Sequence, residues 1–257
     1  MNLNVKNIMK KKVNYMSKHN KLAIIMPLLM LLVGLSCIGY YFYDCYTTNE
    51  SILATSAAVH AKEQLQDPTK KSKCPPDKVT YDPSGVDQIS PEAIRRIAEK
   101  MTNPYYREAV KANAIGALSI PDSGLQVTIL KGLSEVNLVS GAGTFWEEQK
   151  MGKGNYPLAS HNVNNEDLLL GPLFRTKPGM KAYLTDYQKI YIYKIKSVAL
   201  YSPSRSDLVD LYKPRPTLTL ITCGSFNDTS ERCVGIGYLL DTIDYESASS
   251  DIKNSFE

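Results

Sequence analysis

Residues 22–43 form an almost wholly apolar run with no charged side chain, closed by Tyr40, Tyr41 and Tyr43. A helix rising about 1.5 Å per residue crosses a hydrocarbon core of about 30 Å and satisfies its own backbone there. Pro27 and Gly34 are tolerated in a membrane helix, and the tyrosines suit the far interface. A cleaved signal peptide has an apolar region of only about 7–15 residues. This run is longer, and the best small-residue cleavage site, Ala54-Thr55-Ser56, lies too far downstream. The expectation is a retained single-pass anchor. Lys6, Lys10, Lys11, Lys12, Lys18 and Lys21 precede it and no acid does. Positive-inside orientation therefore makes residues 1–21 a basic cytoplasmic tail and places everything after Asp44 outside the membrane. Removing those six lysines from the net charge of +4 leaves −2. No basic stripe survives in the folded part, which argues against nucleic acid as a partner.

Beyond the anchor, residues 44–80 read as an extracellular stalk. Thr, Ser, Ala, Lys and Gln lead into Cys74-Pro75-Pro76-Asp77, with no apolar period that would build a core. Ser90-Pro91-Glu92 then supplies an N-cap, a proline at the first helical position and an acid in the first turn. Ile94, Ile97, Ala98 and Met101 follow at helical spacing, so a short amphipathic helix precedes the main domain. From Ala114 the pattern changes to short strands broken by Gly, Pro and Asn. Strands are expected near residues 115–120, 125–130, 156–160, 181–184, 189–200, 217–223 and 232–240, with a further short one near 136–139. Leu-rich residues around Gly171-Pro172 predict a helical turn over one end. Strands this short and numerous predict an all-β barrel or sandwich. Residues 246–257 read as a polar tail.

The strand Thr217-Leu218-Thr219-Leu220-Ile221-Thr222-Cys223 is the most informative, because six β-formers run straight into a lone thiol. Alternation puts Thr217, Thr219, Ile221 and Cys223 on one face and Leu218, Leu220 and Thr222 on the other. A cysteine so placed is a buried filler, half of a disulfide, a metal ligand or a nucleophile. Of the five cysteines, Cys37, Cys45 and Cys74 precede the domain, which holds Cys223 and Cys233. With no CxxC pair and no Cys/His cluster, no structural zinc site is expected. An exported domain can pair its two cysteines. If the strand carrying Arg232-Cys233 returns beside the first, only one of those two residues faces Cys223. A disulfide requires Cys233 there, and catalysis requires Arg232. Composition leaves both open. His161, the only histidine of the domain, ends the strand at 156–160 and enters the polar loop Asn162-Val163-Asn164-Asn165. A lone histidine is usually structural, but here it and the thiol both sit at strand ends. A thiol ionises before attacking a carbonyl, and a nearby His⁺ or Arg favours that ionisation. Arg232 also suits stabilisation of an oxyanion.

Leu158-Ala159-Ser160-His161, Thr219-Leu220-Ile221-Thr222-Cys223 and Arg232 in a following strand resemble the three signature elements of sortases, the Gram-positive cysteine transpeptidases. Ala114-Ile115-Gly116-Ala117-Leu118-Ser119-Ile120-Pro121 looks like the family's opening strand, and Gly141-Ala142-Gly143-Thr144 and Tyr183-Leu184-Thr185-Asp186 match it too. The resemblance runs over roughly residues 80–245 and is closest to the class A, housekeeping, branch. It implies a closed eight-stranded sortase-type β-barrel with a short N-terminal helix and covering helical turns, occupying residues 81–245 behind the single transmembrane helix. Ser160 departs from the family, which commonly has Gly before the histidine. Tyr81-Asp82-Pro83-Ser84 lacks the aromatic that follows Asp-Pro in the lid of pilin-polymerising members.

The resemblance also implies a reaction. Cys223 would attack the Thr–Gly carbonyl of an LPXTG-type sorting signal, His161 would act as general acid and base, and Arg232 would hold the substrate and stabilise the oxyanion. Ala159, Ser160, Ile221 and Thr222 would line the substrate site by carry-over of motif positions. Residues 201–216 sit where the family reads the Leu-Pro portion. The partners would be LPXTG-bearing surface proteins and the amine of a peptidoglycan precursor, lipid II, with hydrolysis as a side reaction. No cofactor is required. Some members bind calcium near the loop after the third strand, where this chain has Glu147 and Glu148, but two adjacent carboxylates usually read as solvated charge. Pilin polymerisation, a hydrolytic cysteine protease and a non-catalytic surface-binding β-domain are the alternative readings.

Overall fold

The structure, a computed structural model, describes residues 2–60, 62–67, 75–83, 86, 89–163, 165–225 and 230–257, with side chains from residue 25 onward except 63 and 64. Cys74, Asn164 and residues 226–229 lie outside the described residues. The chain divides into two compact units, residues 1–47 and 48–257. Helix α1 (Asn2–Ala58) makes up the first unit and continues into the second, with Pro27 inside it. Its part from Ile25 to Ala58 is long and apolar enough to cross a membrane. The expected membrane segment 22–43 is thus part of a longer helix.

In the second unit, α1 is followed by α2 (Lys62–Gln66), α3 (Pro91–Met101) and α4 (Pro104–Lys111). Ser90 caps α3 as its spacing predicts, its hydroxyl accepting from the Ala93 N–H, and Ile94, Ile97 and Met101 are buried. Helix α4 is unannounced by apolar periodicity. It starts because the Asn103 side chain accepts from the Tyr105 and Tyr106 amides at 2.9 and 3.3 Å, with Pro104 in the first turn.

Residues 44–80 are not simply a solvated stalk. Thr48, Ile52, Thr55 and Val59 recur at intervals of four, three and four residues, and all are buried. Ile52 and Val59 join Ile89, Ile94, Ile97 and Val110 in one apolar cluster. The Arg95 guanidinium donates to the Thr48 hydroxyl at 3.2 Å. A helical stripe of two threonines and two aliphatics hides within a polar composition, which is why it escaped a reading by composition.

Eight strands follow: β1 (Ala114–Ile120), β2 (Leu125–Leu130), β3 (Ala142–Thr144), β4 (Asn155–Ala159), β5 (Lys181–Thr185), β6 (Lys189–Tyr201), β7 (Thr217–Cys223) and β8 (Arg232–Asp244). They close into a barrel in the order β1-β2-β3-β4-β7-β8-β6-β5. Pairs β2/β3 and β4/β7 are parallel, and the other pairs are antiparallel. The strand expected near 136–139 is instead helix α5 (Glu135–Ser140), and the strand at this point is the Gly-flanked β3. Val136, Leu138 and Val139 are buried, as is Asn137 between them, so the run carries no alternation to separate helix from strand.

Leu118, Leu158, Leu184, Leu218 and Leu220 fill the barrel interior. A 3₁₀ turn, Gly171–Arg175, closes one end as expected, and its Leu173 reaches so far in that a Cβ on Gly235 would meet Leu173 Cδ1 at 2.7 Å. The polar tail is not free either. Beyond β8, helix α6 (Ser250–Asn254) brings Phe256 to 0% exposure, 6.4 Å from the Tyr187 ring centroid.

Ile52→Ala tests the packed role of residues 48–59. It should destabilise the second unit by about 2–4 kcal/mol, as truncation of a buried aliphatic does, measured by denaturant unfolding of the full chain in detergent. A change within about 0.5 kcal/mol, the usual effect at a solvated position, would restore the stalk.

Candidate active site

Strand β7 is buried along its whole length because it has β4 on one side and β8 on the other. Leu218 and Leu220 point into the barrel, while Ile221 joins Val86, Leu133, Leu138, Phe145, Ala159 and Val234 in a second cluster on the outer face. Buried threonine hydroxyls need partners, and here those partners are structural. Thr219 Oγ1 donates to Asn155 Oδ1 at 2.8 Å, and Thr222 Oγ1 donates to the Ser160 carbonyl at 3.0 Å.

The register between β7 and β8 fixes which of Arg232 and Cys233 faces Cys223. Cys223 lies directly opposite Arg232, and Thr222 opposite Cys233. The Gly224 N–H donates to the Glu231 carbonyl at 2.9 Å, so the next pair out is a hydrogen-bonded one. Cys223 and Arg232 therefore form a non-hydrogen-bonded pair, in which Cα atoms are about 4.5 Å apart and side chains share a face. Cys233 turns the other way into the barrel core. No disulfide joins Cys223 and Cys233.

Cys223 is 4% exposed and His161 3%. The backbone on either side of His161 is tied to the end of β7. The Ser160 N–H donates to the Ile221 carbonyl at 3.2 Å, and Asn162 Nδ2 donates to the Cys223 carbonyl at 3.0 Å. The His161 N–H and the Ser160 hydroxyl both donate to the Leu138 carbonyl of α5, at 3.2 and 3.1 Å. One carbonyl of a short buried helix thus holds the turn that carries the histidine. Asn162 and Leu138 have no motif to announce them; their parts emerge only from the loop's path.

Beside this end of the barrel runs a groove of about 290 Å³. Ile221, Arg232 and Val234 lie along it, opposed by Leu208 and Val209 from the β6–β7 segment and by Phe145 after β3. Val86 adds to its wall, and its carbonyl accepts from Arg232 Nη2 at 3.4 Å. Of the motif residues expected to line the substrate site, Ile221 does so. Ala159 is buried in the cluster beneath it, and Ser160 and Thr222 are engaged in the hydrogen bonds above. A larger hollow of about 470 Å³ lies against β1 and β2, away from Cys223, His161 and Arg232. Glu147 and Glu148 are exposed, and among the described residues no three His, Cys, Asp or Glu side chains gather as a metal site.

Residues 118–239 match the family model described as Sortase domain. Sortase A of Bacillus anthracis is 33% identical over 218 residues, covering 85% of this chain and 94% of that protein. The chain belongs to the sortase family. Sortase A of Listeria monocytogenes is 34% identical over 152 residues, which cover 59% of this chain and 65% of that protein's length. The solved Listeria sortase A structure gives a TM-score of 0.52 at 33% identity, covering 56% of this chain and 97% of that structure. Sortases are cysteine transpeptidases, and the similarity is to class A.

Burial pushes the Cys233 thiol up to about 11. It is therefore protonated at neutral pH, and its thiolate fraction rises about tenfold per pH unit up to that value. Peptide mapping after iodoacetamide treatment of the native full chain at pH 8 should find Cys233 unmodified, with labelling appearing only toward pH 10–11. Ready labelling of Cys233 at pH 8 would contradict its place in the core.

Proposed function

We propose that this chain is a membrane-anchored class A transpeptidase that cleaves LPXTG-type sorting signals between Thr and Gly and joins the protein to a peptidoglycan-precursor amine. The observation that carries the reading is the pairing of Cys223 with Arg232 on the groove side of the barrel, with Cys233 turned away. The six lysines before residue 22 favour a cytoplasmic amino terminus and a catalytic barrel on the outer face.

In the first half-reaction the Cys223 thiolate attacks the threonine carbonyl carbon. Negative charge moves to the carbonyl oxygen, where the Arg232 guanidinium supplies fixed donors. As the C–N bond breaks, His161 gives its proton to the departing glycine amine, leaving a thioester. In the second, an incoming amine attacks the thioester and loses a proton to His161 while the Cys223 thiolate departs. Water in place of the amine gives hydrolysis, the side reaction. The β6–β7 wall, with Leu208 and Val209, would receive the Leu-Pro part of an extended peptide, because its opposing surface is apolar.

The full chain in detergent, given an LPXTG peptide and an oligoglycine acceptor, should yield ligated product by mass spectrometry. Cys223→Ala should abolish the thioacyl intermediate, and Arg232→Ala should lower kcat by about 10²–10³, as loss of an oxyanion donor does. Undiminished ligation by Cys223→Ala would overturn the assignment.

A further inference from the structure

The β6–β7 wall of the groove has little core of its own. Its 3₁₀ turn, Ser206–Val209, has no buried residue, and its local ties, such as the Arg205–Asp207 ion pair, stay within the segment. Two consecutive carbonyls at the end of that turn are nonetheless held from across the barrel. Trp146 Nε1 donates to the Val209 carbonyl at 2.7 Å, and Asn155 Nδ2 donates to the Leu208 carbonyl at 2.9 Å. The donors are themselves fixed. Asn155 is fully buried and accepts from Thr219 Oγ1. The Phe145 and Trp146 amides both donate to Gln149 Oε1, whose Nε2 donates to the Pro157 carbonyl of β4 at 3.0 Å. A continuous set of hydrogen bonds therefore runs from β4, through the turn after β3, to the wall that faces Ile221 and Val234.

We propose that Trp146, supported by Asn155, is a positioning residue that sets the width of the groove and with it the discrimination for a branched aliphatic side chain in the substrate. The inference rests on the proposed peptide reaction for its substrate, but the tether itself does not. Leu208 and Val209 contribute side chains to the wall while their carbonyls are pinned, so releasing the carbonyls lets the apolar surface retreat. Trp146 is 38% exposed and is the only tryptophan in the chain, so the indole can be altered without opening the barrel core.

Trp146→Phe keeps an aromatic ring and removes the N–H donor; Asn155 is left intact because its burial makes substitution there a folding risk. Hydrogen exchange on the full chain in detergent should show faster exchange over residues 205–211, with β7 and β8 unchanged. With peptide, KM should rise about two- to tenfold, the range expected for one lost hydrogen bond, while kcat and the KM of the acceptor amine stay within about twofold. The kcat/KM preference for Leu over Ala at the branched position should narrow. Unchanged exchange over 205–211 would overturn the tether whether or not the peptide is turned over. Faster exchange with unchanged KM and unchanged preference would overturn the positioning role. A wild-type chain that ignores the peptide would instead overturn the proposed reaction, with the exchange result still deciding the tether.

Discussion

In an antiparallel pair, a slip of one residue turns every side chain to the opposite face. Between β7 and β8 that slip would exchange Arg232 for Cys233 opposite Cys223, and set two thiols within reach of a cross-link. The register is held from inside the barrel. Leu218 and Leu220 lie opposite Gly237 and Gly235, and Leu173 fills the space that a side chain at Gly235 would need. Shifted by one, those leucines would face the groove and the core would be left hollow, at a cost of several kcal/mol by the usual penalty for lost aliphatic packing, about 2–5 kcal/mol per large residue. Packing in the interior thereby decides which side chain lies opposite Cys223 on the exterior.

The parallel β4/β7 pairing extends this control to the histidine. Ala159 and Ile221 are the last paired residues, after which the two chains part and the Thr222 hydroxyl, the Ser160 amide and the Asn162 side chain take over the bonding. A parallel strand end leaves polar backbone without ladder partners, and here that backbone is satisfied by the turn that carries His161. The thiol, the guanidinium and the imidazole come from three strand ends fixed relative to one another by neighbouring backbone, an arrangement suited to a preorganised site.

Much of the barrel was legible because its strands alternate and its turns carry Gly, Pro and Asn. The N-cap Ser90 with Pro91 announced α3, and the six β-formers ending in Cys223 announced β7. Three kinds of information were hidden. Residues 136–139 carry no period because they are buried on every side, so α5 looked like a strand. The stripe Thr48, Ile52, Thr55, Val59 was masked by its polar neighbours, and Phe256 by a polar tail. Within the site, the choice between Arg232 and Cys233 depended on register, which residue types do not encode locally. Asn162, Leu138 and Trp146 act through backbone contacts made possible only by the closed barrel, and nothing in their own sequence neighbourhoods points to those contacts.

An introduced thiol tests the β7/β8 register directly. A non-hydrogen-bonded antiparallel pair holds its Cα atoms about 4.5 Å apart, inside the roughly 4.4–6.8 Å that a disulfide spans. In Arg232→Cys, mild oxidation of the full chain followed by peptide mapping should find Cys223 joined to the thiol at position 232, with Cys233 still reduced. A Cys223–Cys233 disulfide, in this variant or in the unaltered chain, would contradict that register.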